Sequence, residues 1–385
     1  MTWLALKMLT GDRSKYFGIV FGVTFASLLI AHQVSIFISI MARTTSQIRD
    51  VQEADIWVMD PNVRYIDETT GLSDTDLQRV RGVDGVAWAV KFFKGNLRAR
   101  LAEGNSLGAK GDFRNVIMLG IDDETLIGAP REMVIGTLAD LRLPDAALID
   151  EAGFNYLWPG QKLRIGMELE MNDRRAVVVG ICKASPGFQS MGVVYTLYSR
   201  AMLYAPPERR LMSFVLAKPV EGISDEETCR RIADATRLKA MTTEQFCWST
   251  IVFYLQNTGI PVNFGITVML GFVVGVAIAG QTFYLFTIEN LKQFGALKAM
   301  GLGNLRIVGM IMTQAIVVGI LGYGIGMGLA ALFFEATKNN LALKGFHMYW
   351  QVMAGTAFAV TFIVVLASLL SVRRVLVLEP AIVFR

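Results

Sequence analysis

The sequence is poor in the residues that carry most enzyme chemistry. Its 385 residues include two histidines, His32 and His347, and three cysteines, Cys182, Cys229 and Cys247. No HExxH, CxxC or comparable cluster occurs, which excludes a metal centre of ordinary ligand spacing. The odd cysteine count argues against a disulfide framework. A Cys229–Cys247 bridge stays open, with free thiols favoured. No GxxxxGK[ST] loop occurs anywhere, so the chain has no phosphate cradle of that type. The glycine-rich stretch Gly104–Asp112 lacks that spacing and reads as a mobile polar loop. A membrane enzyme would have to draw its base from His32 or His347, neither with an acidic orienter nearby in sequence. No catalytic residue is therefore assigned.

Charge is scarce too. Charged residues are 18% of the chain and hydrophobic ones 53%, where a soluble domain carries about a quarter charged. The charge is unevenly placed. Residues 43–260 hold 29 of the 33 acidic side chains but 26 of the 37 basic ones, and the remainder carries 11 basic against 4 acidic. A mildly acidic soluble region thus sits inside a basic-flanked apolar scaffold. The excess of lysine and arginine belongs to membrane flanks and not to nucleic-acid binding.

What is present is a set of long apolar runs. Lys7, Arg13 and Lys15 precede the run from Phe17 to Met41, which has no small-residue cleavage site and exceeds a signal h-region, so a retained anchor is expected. Val262–Phe286, Leu305–Glu335 and His347–Val372 complete four spans, the last closed by Arg373-Arg374. Basic flanks place both termini on the cytoplasmic side. Gly271, Gly275 and Gly280 offer a small-residue packing face, and Gly319, Gly322, Gly324, Gly326 and Gly328 crowd the third span. Polar exceptions inside the spans are His32, Gln33, Gln281 and Gln314, which are functional candidates by type.

Between the first two spans lies a soluble insertion, residues 44–255. A polar helical stretch, Thr44–Glu53, is expected to continue the first span. Ile56–Met59 reads as a strand, Ser73 caps a helix to Arg81, and Val83–Phe93 reads as a strand. The pattern recurs with strand Phe214–Ala217, a helix opened by the capping box Ser224…Glu227 and running through Thr236, and strand Leu238–Met241. Two split β-α-β units predict a ferredoxin-like α+β module with halves at about 55–95 and 212–245. The intervening residues, about 96–210, predict a β-rich insert with strands at Leu97–Leu101, Val116–Ile121, Ala147–Ile149, Leu163–Ile165, Leu169–Met171, Ala176–Ile181 and Val193–Leu197. Turns fall at Trp158-Pro159-Gly160 and Asn172-Asp173. Asp122 and Asp150 end strand-like runs and read as solvated turn carboxylates. Thr242-Thr243-Glu244-Gln245-Phe246 opens a helix carrying Trp248, Phe253 and Tyr254, aromatics suited to a membrane–water belt. Gly259-Ile260-Pro261 then breaks the chain.

The remaining segment, 256–385, contains a compact charged stretch between the second and third spans. Residues 289–300 are good helix formers, and Gly301 stands where a left-handed residue ends a helix. At about 100° per residue, Leu291, Phe294 and Leu297 share one side, and Glu289, Gln293, Ala296 and Met300 the other. The run Phe294-Gly295-Ala296-Leu297-Lys298-Ala299-Met300-Gly301 resembles the cytoplasmic coupling segment of FtsX/MacB-family ABC transporter permeases. The ending Arg373-Arg374-Val375-Leu376-Val377-Leu378-Glu379-Pro380-Ala381 resembles that family's basic-then-acidic-Pro-Ala signature. The wording is nearest the DevC type, permeases of glycolipid exporters.

The resemblance implies a four-span α-helical membrane protein of the bacterial inner membrane with an α+β extracytoplasmic domain. It implies a permease without its own ATPase site, coupled to a MacB/LolD-like ATPase that binds the ATP and Mg. It further implies a second permease copy and a membrane-fusion adaptor, within membrane lipids and with no nucleic acid. Glu289, Gln293, Phe294, Ala296, Leu297, Lys298, Met300 and Gly301 would then couple to the ATPase. The expected work is mechanotransmission, with export of a lipid-like or amphiphilic substrate. The alternatives are an FtsX-like signal relay to an extracytoplasmic enzyme and a lipoprotein-release permease.

Overall fold

A computed structural model describes residues 2–11, 13–101, 111–189, 191–338, 343 and 345–376. The glycine-rich loop from Gly104 to Lys110, most of the turn after Lys338, and the closing Glu379-Pro380-Ala381 signature lie outside these residues, as do the side chains of Arg373 and Arg374.

The chain begins with helices α1 (Thr2–Gly11), α2 (Arg13–Thr44) and α3 (Ser46–Asp50). There follow β1 (Ile56–Met59), α4 (Asp74–Arg81), β2 (Val86–Leu101), β3 (Phe113–Ile121), β4 (Glu132–Ile135), β5 (Ala146–Asp150) and α5 (Glu151–Leu157). Next come β6 (Glu168–Met171), β7 (Arg174–Lys183), β8 (Gly192–Leu197), α6 (Tyr198–Tyr204), β9 (Phe214–Pro219), α7 (Asp225–Thr236) and β10 (Lys239–Thr242). Helices α8 (Thr243–Asn257), α9 (Ile260–Glu289), α10 (Leu291–Ala299), α11 (Asn304–Thr337) and α12 (Trp350–Leu376) complete it. These form two compact units: Met1–Ser39, Gly259–Asn339 and Phe346–Arg385 in one, Ile40–Thr258 and Asn340–Gly345 in the other.

The α/β unit is built on one ten-stranded mixed sheet, ordered β10-β1-β9-β2-β3-β8-β5-β7-β4, with β6 pairing β2 and β7. The first four strands in this order are each antiparallel to their neighbours, and α4 and α7 make the two crossovers. That order is the ferredoxin-like one anticipated from the two β-α-β units. Alternation on β1 assigns its two faces. Ile56 and Val58 pack with Leu77, Val80, Cys229 and Ile232 of α4 and α7. Trp57 and Met59 pack on the opposite side with Ile48 of α3 and Phe246 and Cys247 of α8. Both faces are covered, so all four residues of β1 are buried and no polar alternation marks the strand. The three cysteines are buried free thiols.

Several boundaries differ from expectation. Val83–Phe93 and Leu97–Leu101 are one 16-residue strand, Val86–Leu101. It starts late because Gly85 takes φ +99° in the turn before it. Leu163–Ile165 is not a strand; regular pairing resumes at Glu168, after Gly166 at φ +85°. β4 carried no signal, being a short, half-exposed strand at the end of the sheet order, paired to β7. The polar stretch after the first span is a separate short helix, α3. Ser224 caps α7 by accepting from the Glu227 N–H, but no reciprocal bond closes the box, because the Glu227 carboxylate pairs with Arg231 and Arg230. Asp150 is not a solvated turn residue. It is 3% exposed and accepts from the N–H groups of Gly153 (3.0 Å) and Val193 (2.7 Å), capping α5 and pinning β8. Asn172 and Asp173 both take positive φ in the β6–β7 hairpin, the backbone a tight two-residue turn requires.

Among the described residues, the other unit holds four helices long and apolar enough to cross a membrane: Arg13–Thr44, Ile260–Glu289, Asn304–Thr337 and Trp350–Leu369. Their shared core includes Val23 and Ala26 of α2, Ala279 and Phe283 of α9, Val318 of α11, and Ile363 and Val364 of α12. Outward positions are equally apolar, with Phe21, Met269, Ile320 and Phe358 all exposed. An apolar exterior suits lipid, where helices gain most from close packing. Glycine supplies it. A Cβ at Gly326 would lie 2.7–2.9 Å from atoms of Thr24, Ser27 and Leu28, and one at Gly275 would lie 2.5 Å from the Ala26 Cβ.

Candidate functional site

The charged stretch between the second and third spans folds as α9's last turn, a one-residue break at Asn290, and α10. Asn290 folds back, its Nδ2 donating to the Phe286 carbonyl (2.8 Å), while its own carbonyl accepts from the Phe294 N–H (3.0 Å). The helix therefore covers Leu291–Ala299 and not 289–300. Glu289 ends α9 and ion-pairs with Lys15 of α2, so its carboxylate is committed to the helix corner.

The far end of α10 is a Schellman cap. The Gly301 N–H donates to the Lys298 carbonyl (3.0 Å) and the Leu302 N–H to the Leu297 carbonyl (3.1 Å), with Gly301 at φ +93°. Leu302 and Leu297 lie in one apolar cluster, the hydrophobic contact that accompanies this cap. The sequence anticipated the glycine, and the carbonyl pairing shows why it is needed.

The two sides of α10 separate cleanly. Phe294 and Gly295 are buried. Phe294, with Leu291 and Leu297 partly buried beside it, packs on Ile307 and Ile311 of α11, Val372 of α12 and Met8 of α1. Lys292, Gln293, Ala296, Ala299 and Met300 face outward, Met300 being 71% exposed. Lys298 is intermediate. Of the eight residues singled out, Phe294 and Leu297 hold the helix in place and Gly301 ends it. Gln293, Ala296 and Met300 form a free face, which Lys292 and Ala299 extend. A cleft of about 450 Å³ adjoins it, lined by Leu4, Lys7, Met8 and Gly11 of α1 with Glu289, Asn290 and Gln293. The α1 wall was not anticipated; a ten-residue apolar helix before the first span resembles part of that span in composition.

The intramembrane polar residues do not converge. His32 sits edge-on to Phe333 (ring centroids 4.5 Å) and nearly parallel to Phe334 (5.9 Å). Gln33 is half-buried and Gln281 exposed on the outside of the helical unit. Gln314 is fully buried, and its Nε2 donates to the Ala5 carbonyl of α1 at 2.8 Å. That bond fastens α1 to α11 and, with Met8 in the apolar cluster, sets the cleft's second wall.

Residues 16–235 match the family model of the MacB-like periplasmic core domain, and residues 262–380 that of the FtsX-like permease C-terminal domain. No curated protein matches the chain. Among solved structures, the extracellular domain of the noncanonic ABC-type transporter YknZ from Gram-positive bacteria is 15% identical with a TM-score of 0.35, covering 49% of this chain and 98% of that one. The periplasmic region of MacB from Actinobacillus actinomycetemcomitans is 12% identical with a TM-score of 0.36, covering 55% of this chain and 96% of that one.

Proposed function

The chain belongs to the FtsX/MacB family of ABC transporter permeases, and we propose that it is the membrane subunit of an exporter working by mechanotransmission. A separate MacB/LolD-like ATPase binds the ATP and Mg and docks on the outward face of α10. The carrying observation is the division of α10: one side is locked by Phe294, Leu291 and Leu297, and the other presents Gln293, Ala296 and Met300 beside a cleft. A helix so fixed passes a push on its free face into α9 and α11 instead of absorbing it.

The polar groups of the spans support movement of the outer domain over an aqueous path through the bilayer. Such a path is lined by polar side chains. Here His32 is packed on two phenylalanine rings and Gln314 is used to hold α1. The substrate is then an amphiphile or lipid-like molecule collected outside the bilayer core, as the DevC-like wording of the coupling segment suggests. A second permease copy and a membrane-fusion adaptor on the α/β unit complete the assembly. The cluster of Lys7, Arg13, Lys15, Lys292, Lys298 and Arg306 supports a cytoplasmic location for α1 and α10 in a bacterial inner membrane.

The test is Met300→Asp in the full chain. It places a carboxylate on the free face without entering the core. Affinity purification followed by mass spectrometry should recover the ATPase with the wild-type chain and lose it with the variant, at unchanged thermal stability. Equal recovery and equal export would refute docking at this face. His32→Leu with Gln281→Leu should leave most export intact, and abolished export would place the substrate between the spans.

A further inference from the structure

Strand β2 belongs to two half-sheets. Val86–Phe92 pairs with β9, and Phe93–Arg100 with β3. Lys94 stands just past the change-over, where a side chain replaces the ladder. The Lys94 N–H donates to Ser213 Oγ (3.0 Å), and that hydroxyl donates to the Lys94 carbonyl (3.0 Å). The Lys94 ammonium, on a side chain only 3% exposed, ion-pairs with Asp67 Oδ1. Asp67 Oδ2 accepts from the Tyr254 hydroxyl at 3.0 Å. Tyr254 lies on α8, the last element before the chain turns at Thr258-Gly259 into α9. A continuous polar chain thus runs from the lead-in helix of the second span to the seam of the sheet.

The seating of α8 is specific to this end. Tyr65 stacks on Phe253 (3.9 Å, 7°), Arg64 lies over the same ring (4.9 Å), and Ser249 Oγ donates to the Arg64 carbonyl (2.9 Å). The other lead-in helix, α3, makes hydrogen bonds to the segment after β7. Ser185, after β7, donates to Asp50 from its N–H (2.9 Å) and hydroxyl (2.7 Å), and Ser46 Oγ donates to the Pro186 carbonyl (3.0 Å). Beside these bonds, Ile48 of α3 shares an apolar cluster on β1 with Phe246 and Cys247 of α8, and Arg49 pairs with Glu244, so the polar link from Tyr254 is what distinguishes α8 at the seam. A cleft of about 370 Å³ over the seam, lined by residues including Asp67, Lys94, Asn96 and Glu208, leaves room for a change of angle.

Apolar packing alone would be at least as stable at such a site, since a buried ion pair often gives no net stabilisation over hydrophobic isosteres. What the ions add is one discrete geometry. Burial and the Asp67 charge push the Tyr254 hydroxyl well above the usual phenol range, so it remains a donor to Asp67.

We propose that Tyr254, Asp67 and Lys94 are the positioning residues through which displacement of α8 reaches the β2 seam, so that the two half-sheets re-orient during the ATP-driven cycle. This rests on the mechanotransmission reading above. The test uses the full chain with its ATPase in lipid nanodiscs. Spin labels at Asn155→Cys on α5 and Asp234→Cys on α7 report the angle between the half-sheets, the native cysteines being buried. ATP with vanadate should shift the label distance. Tyr254→Phe, and separately Lys94→Met with Asp67→Leu, should keep Tm and ATP hydrolysis yet lower the population of the shifted state by a factor of about 2 to 30, the range of coupling carriers. The double variant removes both charges and leaves the site filled by apolar side chains, so a merely structural pair would leave the shift intact. A wild-type shift in either variant overturns the assignment. No shift in the wild-type background, with hydrolysis and export intact, refutes mechanotransmission itself and the inference with it.

Discussion

Two glycines on one helix, two residues apart, should respond to the same substitution with opposite sign. At Gly326 an added Cβ lies 2.7 Å from the Ser27 Cβ, 2.8 Å from the Thr24 carbonyl oxygen and 2.9 Å from the Leu28 nitrogen. Two of these are backbone atoms of α2 and cannot rotate away, so relief to an ordinary contact of about 3.5–4.0 Å requires α2 and α11 to part by roughly 1 Å. Overpacking of this kind costs about 1–3 kcal/mol. At Gly324 nothing lies within 4 Å, and alanine there gains about 0.5–1 kcal/mol from helix preference alone. Gly326→Ala should therefore unfold earlier than the wild type, and Gly324→Ala at or after it. The helix preference is common to both positions, so the gap between the variants is the overpacking cost, about 1–3 kcal/mol. SDS titration of the purified chain in mixed micelles, followed by circular dichroism, measures it. Equal destabilisation by both, or a neutral Gly326→Ala, would refute the α2–α11 packing described here.

Leu297→Asp puts a carboxylate into the apolar cluster under α10 and should destabilise the helical unit by several kcal/mol, on the order of 2–7. Met300→Asp should leave that unit unchanged, which thermal scanning of the pair would establish. Asp150→Ala strips the acceptor from two buried N–H groups and should cost about 3 kcal/mol of α/β-unit stability in urea unfolding; a loss near zero would contradict the α5 cap. Raising the pH should weaken the α/β unit. Burial holds the Tyr198 and Tyr204 hydroxyls and the Cys229 thiol up at about 12, and pushes the Tyr195 and Tyr254 hydroxyls and the Cys182 thiol up as well. Each group keeps its proton longer when folded, so its contribution is complete below the unfolded-chain pKa and is lost as pH rises towards the folded value. Urea midpoints should fall from about pH 8.5, where unfolded thiols ionise, and faster above about 10, where phenols do. A midpoint constant to about pH 11 would mean these groups are exposed.

The sequence alone determined everything that depends on local composition and period. Four apolar runs, their basic flanks, two β-α-β units and the Gly301 cap are each written within a few consecutive residues. So are the family wording Leu297-Lys298-Ala299-Met300-Gly301 and the turn at Asn172-Asp173. Errors fell where a neighbour distant in sequence settles the matter. Asp150 looked solvated because its partner N–H group on Val193 is 43 residues away. Glu289 was read as the first residue of the coupling helix, but Asn290 breaks the chain after it and leaves it at the end of α9, paired with Lys15. Gln314 stood out by its polarity alone, and its bond to the Ala5 carbonyl of α1, 309 residues away, has no mark in the sequence.

The division of α10 was half legible. Its period showed two sides, but only packing against α11, α12 and α1 decided which side is free. The continuity of β2 was not legible at all, because a strand shared by two half-sheets has no local mark at its seam. Likewise no stretch of sequence joins Lys94, Asp67 and Tyr254, which stand 27 and 187 residues apart along the two links of the chain. Period and composition act over one or two turns of chain. Which buried charge meets which partner is set by the sheet order and by the low dielectric of the interior, where an unpaired ion is too costly to leave, and both exist only once the chain has folded.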